Sequence, residues 1–434
     1  MRNMENGRVT AKRGLEALLR LGADKAQSVV SLVEKHEMNV DAGEFSLLRT
    51  TFDTQVRLTA IKGGKRGQTA ANQSDPESIE RAAADALNIA EASQPDDAYD
   101  IAERQPAEVF KAGSDSPDLD KMHMRVAELL KEVKVRHPKT VIRQAFLDFT
   151  KTRSFILNSN GVDFETTAGV YRFFTMFSSQ EGDNVSSFNY TAFSMRELDK
   201  PLLECAGLDR LLRESGEQVK TYPIKGKFVG HVIVTPECLE DILGFLAYSV
   251  SDGPMIAGTS IYKDSLNKEV TSPSLTIHCR PVSDEIADGY FVTADGYKAE
   301  NMTLVDKGVL KGYMLSLYGA KKTGKERAVN QGGAWVIEPG DTSFEDMVKG
   351  VDRGIILARF SGGNPSANGD FSGIAKNSYL IENGKIQYPI SESMISGNFA
   401  EMLMNITAIS KERVSSGFSV MPWIAMYGAT ISGK

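Results

Sequence analysis

The chain has 434 residues, 41% hydrophobic and 25% charged, the composition of an ordinary globular protein with room for two or three cores, which excludes disordered, collagen-like and coiled-coil classes. Its 50 basic and 57 acidic side chains leave a formal charge of −7, which aids solubility and disfavours direct contact with a nucleic-acid backbone. Cys205, Cys238 and Cys279 form an odd, widely spaced set with no CxxC pair, so a disulfide framework is set aside in favour of a reducing compartment.

Met1 to Leu21 carries charges throughout and lacks the apolar run of an export leader. With no stretch long enough to span a bilayer, the expectation is a cytoplasmic protein. Residues 10–22 predict a helix with Leu15, Leu18 and Leu19 on one face. Strands follow: Gln55 to Ala60 alternates polar and apolar, and Gly63-Gly64 supplies a turn before Arg66 to Thr69. Ser74-Asp75-Pro76-Glu77 fits a capping box led by Ser74, and Ile79, Ala83, Ala86 and Ala90 behind it form a stripe small enough to pack closely on a sheet. Residues 92–117, with Pro95, Pro106 and Pro117, read as a surface connection. A helix capped by Ser116 then carries Leu119, Met122, Val126, Leu129 and Val133 to a stop at His137-Pro138. Residues 140–195 are strands, with a hairpin at Asn160-Gly161 and aromatics at Phe173, Phe174 and Phe177, and a helix over 198–214 closes this half.

The stretch 215–227, with Gly216, Pro223 and Gly226, divides the chain. Before it lies an N-terminal α+β domain, 1–215, strand-rich in its middle part 118–215; after it lies a strand-rich C-terminal domain, 226–434. The second domain opens with a strand, Phe228 to Val234, and a helix entered through Thr235-Pro236. That helix buries Leu239, Ile242, Leu243, Leu246 and Val250. Beyond residue 255 strands and turns dominate, with hairpin signals at Asp306-Lys307-Gly308 and Glu382-Asn383-Gly384 and short helices at 345–353 and about 398–406. Two α+β domains, with antiparallel sheets and segregated helices, are therefore the expected fold, with no internal repeat.

Gly319 to Lys325 matches GxxxxGK. Glu326, however, stands where a phosphate loop needs Ser or Thr, and Asn330 to Gly333 breaks the helix such a loop feeds; a mobile surface loop is the simpler reading. Among His36, His123, His137, His231 and His278, no two stand three to five positions apart, so no helix face presents two imidazoles to a metal. Adjacent His278 and Cys279 on a strand point to opposite faces. His231, alternating with Val229 and Ile233, reads as a core or interface histidine with satisfied nitrogens. A helix dipole would lower the Cys238 pKa, yet a packed small hydrophobe is its simpler role. No GxSxG elbow marks a nucleophile.

Gly369-Asp370-Phe371-Ser372, Glu382-Asn383-Gly384, Ile386-Gln387-Tyr388-Pro389 and Gly397-Asn398 read individually as turns, a hairpin and a helix cap. As a set, with Gly22-Ala23-Asp24, Ser74 to Glu77, Lys263-Asp264 and Gly308 to Tyr313, they make a chain that resembles the TldD/PmbA family, in its PmbA (TldE) branch, over nearly its whole length. The resemblance implies two α+β domains and a role in proteolysis. TldD-type members are similar to zinc peptidases in which an HExxxH helix and a later cysteine hold the ion and the glutamate activates water. The corresponding helix here reads Pro236-Glu237-Cys238-Leu239-Glu240-Asp241-Ile242-Leu243. No histidine lies between His231 and His278, and no cysteine follows Cys279. Glu237 alone echoes the motif's acid.

The resemblance thus implies a subunit with no catalytic residue, metal ligand or cofactor of its own, and zinc in a TldD-type partner. That partnership would degrade unfolded or small peptides and process microcin leader peptides. This chain would complete the substrate chamber, with Lys263, Asp370, Ser372 and Asn398 as candidates for lining it and open strand edges suited to extended peptides. A homodimer in isolation is compatible with a surface meant for a related subunit. No membrane partner and no direct nucleic-acid contact are expected. Two rival expectations stand beside this one. The first is a metal-independent hydrolase, which requires Asp370, Ser372 and Lys263 to converge. The second is a regulatory protein-binding module directed at DNA gyrase, a role attached to the family's name.

Overall fold

A computed structural model describes residues 6–433. Residues 1–5, where the charged N-terminal stretch begins, and residue 434 lie outside them. No helix among the described residues is long and apolar enough to cross a bilayer.

The first half comprises α1 (Asn6–Arg20), β1 (Lys25–Asp41), β2 (Glu44–Lys62), β3 (Lys65–Ala71), α2 (Pro76–Ala92), β4 (Glu108–Gly113), α3 (Leu119–Arg136), β5 (Thr140–Asn158), β6 (Asp163–Glu181), β7 (Asn184–Val185), β8 (Asn189–Met195) and α4 (Leu208–Glu217). The second opens with β9 (Lys227–Val234), α5 (Pro236–Ser249), α6 (Asp252–Ala257), β10 (Ile277–Cys279), β11 (Met302–Asp306), β12 (Val309–Leu310), α7 (Leu317–Thr323) and β13 (Trp335–Ile337). It continues through α8 (Phe344–Lys349), β14 (Arg353–Leu357), β15 (Arg359–Gly362), β16 (Asp370–Lys376), β17 (Tyr379–Glu382), β18 (Lys385–Pro389), β19 (Ser393–Asn398), α9 (Phe399–Met404), β20 (Ile406–Ser415) and β21 (Val420–Ser432).

The fold is α+β, built on an eight-stranded sheet in the first half and a thirteen-stranded sheet in the second. Both sheets are mixed rather than purely antiparallel: β4 runs parallel to β6, β14 to β9, and β21 to β13. In the first sheet, Ala26, Val30, Met38 and Val40 are all even positions of β1 and so share one face. Two apolar clusters form on that face, one with α1 and α2 and the other with α3 and α4. The opposite face meets the second half: Val29, Phe110, Ile156 and Phe164 pack with Tyr297 and Leu317. Around that seam Arg172 pairs with Asp288, Lys298 with Glu108, and Lys321 and Lys322 with Asp100 and Asp96.

Several boundaries differ from expectation for identifiable reasons. Helix α1 starts earlier than residue 10 and buries Ala11, Ala17 and Leu18, while Leu19 faces solvent. Asp75, not Ser74, caps α2, accepting from Ser78 N–H at 2.9 Å, with Pro76 in the first turn. Asp118, not Ser116, caps α3. The proline-marked 92–117 connection contains β4, which alternation over six residues was too short to announce. The helix expected over 198–214 begins only at Leu208, after a 3₁₀ turn at Leu202–Glu204 and a left-handed Gly207. Helices α6 and α7 were not foreseen at all. The GxxxxGK string is no loop: Gly319 to Thr323 is the body of α7, and Gly324 is its left-handed cap. The Gly63-Gly64, Asn160-Gly161, Lys307-Gly308 and Asn383-Gly384 signals all fall in turns between paired strands.

Candidate functional site

β9 and its parallel neighbour β14 end side by side, with Val234 opposite Leu357. The chain leaves both strands at this edge, β9 into α5 and β14 toward β15. Parallel strands whose continuations diverge at their carboxyl ends open a crevice there. Thr235 N–H donates to the Leu357 carbonyl at 3.1 Å, fixing where α5 begins, and Pro236 occupies the first turn without loss of a needed donor. Leu239, Ile242, Leu243 and Leu246 bury the helix against the second sheet's core, while Glu237, Glu240 and Asp241 turn to the crevice.

Glu237 does not stand free. Arg210, one turn before Glu214 on α4, forms a short ion pair with Glu237 Oε1 and a second pair with Glu214 at 3.1 Å. Its guanidinium also lies 5.2 Å over the Trp423 ring. Burial opposes the Arg210 charge, but Glu237 and Glu214 outweigh it and raise its pKa. For Glu214, burial and the Glu237 charge win over the pull of Arg210, and its carboxyl titrates above the usual range.

These residues do not fit a catalytic zinc. With Glu237 as the acid of HExxxH, Pro236 and Asp241 occupy the imidazole positions. Cys238 and Cys279 lie in the core, where burial pushes both thiols up; for Cys238 this overrides the helix dipole, and both act as packing groups. His278 is engaged by Thr303 Oγ1 at 2.9 Å and by Glu338 at 3.2 Å. His231 packs edge-on to Tyr427, and among the described residues its ring nitrogens have no hydrogen-bond partner, contrary to the satisfied histidine expected. Burial lowers its pKa. Among the described residues no three His, Cys, Asp or Glu side chains gather as a metal-holding set.

A second polar cluster lies on the same sheet. Asp370 on β16 sits directly across from Asn398 on β19. Asn398 Nδ2 donates to Asp370 Oδ1 at 2.9 Å, and its Oδ1 caps α9 by accepting from Glu401 N–H at 3.1 Å. Asn368 Nδ2 donates to the other carboxylate oxygen at 2.9 Å. The Asn398 and Asn368 amides hold the Asp370 pKa below the usual range, and among the described residues no cation pairs with its negative charge. Gly369 is required beneath this pair: its φ is +96°, and a Cβ would lie 3.0 Å from Phe245 and from Asn398. The support is aromatic. Phe371 stacks on Phe399 at 4.0 Å, Phe360 meets Phe371 edge-on, and Phe245 packs against Phe399 and Tyr262. The buried Tyr262 hydroxyl has no partner among the described residues, and burial pushes its pKa up to about 12.

Of the four candidate lining residues, the structure joins Asp370 and Asn398. Ser372 lies two positions along β16, exposed and opposite Ser396, with no side-chain hydrogen bond among the described residues. Lys263 follows Tyr262 and donates to the Gly258 carbonyl at 3.3 Å rather than to Asp370 or Ser372. Among the described residues no hydrogen bond joins Asp370, Ser372 and Lys263, as a hydrolase built on them requires. Sequence reasoning missed Arg210, Glu214 and Arg359. Arg210 stands 27 positions from Glu237, and no local pattern links them.

Comparison with known proteins places this geometry in context. The family model described as PmbA/TldA metallopeptidase C-terminal domain matches residues 226–433, and that for domain 1 matches residues 29–90. The chain is 26% identical to metalloprotease PmbA of Escherichia coli O157:H7 over 94% of its own length and 93% of that protein's. In structure it is similar to TldE from Thermococcus kodakarensis, with a TM-score of 0.83 at 20% identity, covering 97% of this chain and 100% of that one. A Bacteroides thetaiotaomicron structure whose name attaches it to DNA gyrase modulation gives a TM-score of 0.84 at 22% identity, with 100% of both chains covered. At these identities the structural matches establish a shared fold.

Proposed function

The chain belongs to the PmbA/TldD family, in its PmbA (TldE) branch, and from that premise we propose that it is the non-metal-binding subunit of a cytoplasmic TldD/TldE-type metalloprotease acting on unfolded or small peptides. It supports a zinc-bearing partner and completes the substrate chamber, whose lining includes Lys263, Asp370, Ser372 and Asn398. Zinc belongs to the partner, and this chain supplies no catalytic group.

One observation carries the reading: Glu237, the acid that echoes the peptidase motif, is held by Arg210. Glu237 Oε1 already accepts from that guanidinium and is therefore not free to take a proton from a water molecule. The pair also ties α4 to α5, which makes the helix a structural strut. The gyrase reading rests on the names of fold neighbours.

The test uses purified chain with and without a TldD-type subunit on an unfolded fluorogenic peptide. The expected result is no cleavage by the chain alone and chelator-sensitive cleavage by the mixture. Chelator-resistant cleavage by the chain alone would overturn the proposal.

A further inference from the structure

The crevice at the start of α5 deepens into a cavity of about 300 Å³. Three carboxylates line it, Glu237, Glu240 and Asp241, against one guanidinium, Arg359. Arg359 is already engaged: it lies 4.1 Å over the Tyr190 ring, donates to Asn189 Oδ1 at 3.0 Å and bonds the Tyr190 carbonyl. Glu240 accepts from Ser419 Oγ at 2.8 Å.

Two of these carboxylates have an oxygen without a donor among the described residues. The Glu237 side chain is only 10% exposed; Arg210 takes Oε1, and Oε2 is buried without a partner. Asp241, one helical turn further on the same face, has no ion pair or hydrogen bond among the described residues. A buried carboxylate oxygen without a donor is costly, so the cavity favours a ligand that brings N–H groups and positive charge. Phe174, Tyr190, Phe418 and Met421 supply the apolar side of the same cavity. Acid at one part and apolar surface at another suit a methylene stem ending in a cation, whose stem gains contact area along the rings. A hydrated divalent ion would gain nothing from those rings.

We infer that this cavity binds the side chain of a lysine or arginine in a peptide, with Glu237 and Asp241 receiving its cationic end. The inference deepens the peptidase-subunit reading by naming a substrate class, and it rests on that reading for the peptide context.

Calorimetric titration of the full chain with Ac-Ala-Lys-Ala-NH₂ and Ac-Ala-Arg-Ala-NH₂ tests it. Ac-Ala-Gln-Ala-NH₂ serves as the neutral control, and H-Ala-Ala-Ala-NH₂ offers only a terminal ammonium. The basic side chains are expected to bind at least tenfold tighter than either control. Asp241→Asn should weaken that binding about tenfold, and added salt should weaken it further. Asp241 is exposed, so its substitution does not endanger the fold; Glu237→Gln, checked for native circular dichroism, probes the buried acceptor. Equal binding of the glutamine peptide, a preference for the free amine, or unchanged affinity in Asp241→Asn would overturn the inference. Because the titration uses the chain alone, lost binding beside intact partner-dependent cleavage would sink the cavity assignment only. The opposite pair of results would sink the subunit reading only.

Discussion

Two carboxylate clusters, one where α4 meets α5 and the other across β16 and β19, solve the same problem in different ways. At the start of α5, Glu237 and Glu214 are largely buried and share the guanidinium of Arg210. At the β16–β19 pair, Asp370 is exposed and held by the amides of Asn368 and Asn398. Amides stabilise a carboxylate without cancelling its charge; a guanidinium cancels it and demands a fixed geometry. The first cluster therefore ties α4 to α5 through a fixed ion pair, whereas the second keeps its charge on an exposed surface.

Removing the shared cation should separate them most strongly. Arg210→Met leaves two carboxylates without their partner and is expected to cost about 3–5 kcal/mol in urea unfolding; a loss under 1 kcal/mol would show that the pairs are incidental. At the amide-held cluster, Asn398→Ala removes a helix cap and a cross-strand bond and should cost about 1 kcal/mol, read from the same unfolding curves. Acid sharpens the contrast through opposite signs. The raised Glu214 pKa means that its contribution to stability is fully present below the ordinary value of 4.5 and is lost as pH rises through the folded value. The depressed Asp370 pKa contributes above 3.8 and is lost as pH falls through its lower folded value. Stability measured from pH 3 to 7 should accordingly lose one feature in Glu214→Gln and the other in Asp370→Asn; a common response in both variants would erase the distinction. The smallest effect is expected from Ser372→Ala, within about 0.5 kcal/mol of wild type by thermal unfolding, because that hydroxyl makes no hydrogen bond among the described residues.

Local chemistry explains which parts were legible in the sequence. Helix α5 announced itself through Thr235-Pro236 and a helical apolar stripe, and the Asn-Gly and Lys-Gly turns through residues that tolerate positive φ. The Asp370–Asn398 pair was legible because each residue sits in a distinctive short string, although only the sheet register brings the strings together. Strand β4 lay hidden among prolines, its parallel pairing with β6 being a tertiary decision rather than a hairpin. Helix α7 was obscured by the expectation of a loop; Gly319 is there because Asp252 leaves no room for a Cβ. Arg210 could not be found because an ion pair between separate helices leaves no periodic trace.

Strand β21 runs through the centre of the second sheet, between β13 and β9, with β19 and β20 also joined to it. Its neighbour β9 ends at Val234, whereas β21 begins only at Val420. During synthesis the apolar edge of Val232 to Val234 must therefore wait, unpaired on that side, while the intervening chain emerges from the ribosome. Such long-range closure is slow and leaves sticky intermediates. A nascent chain stalled before Val420 should therefore be a client for chaperones rather than a smaller working protein.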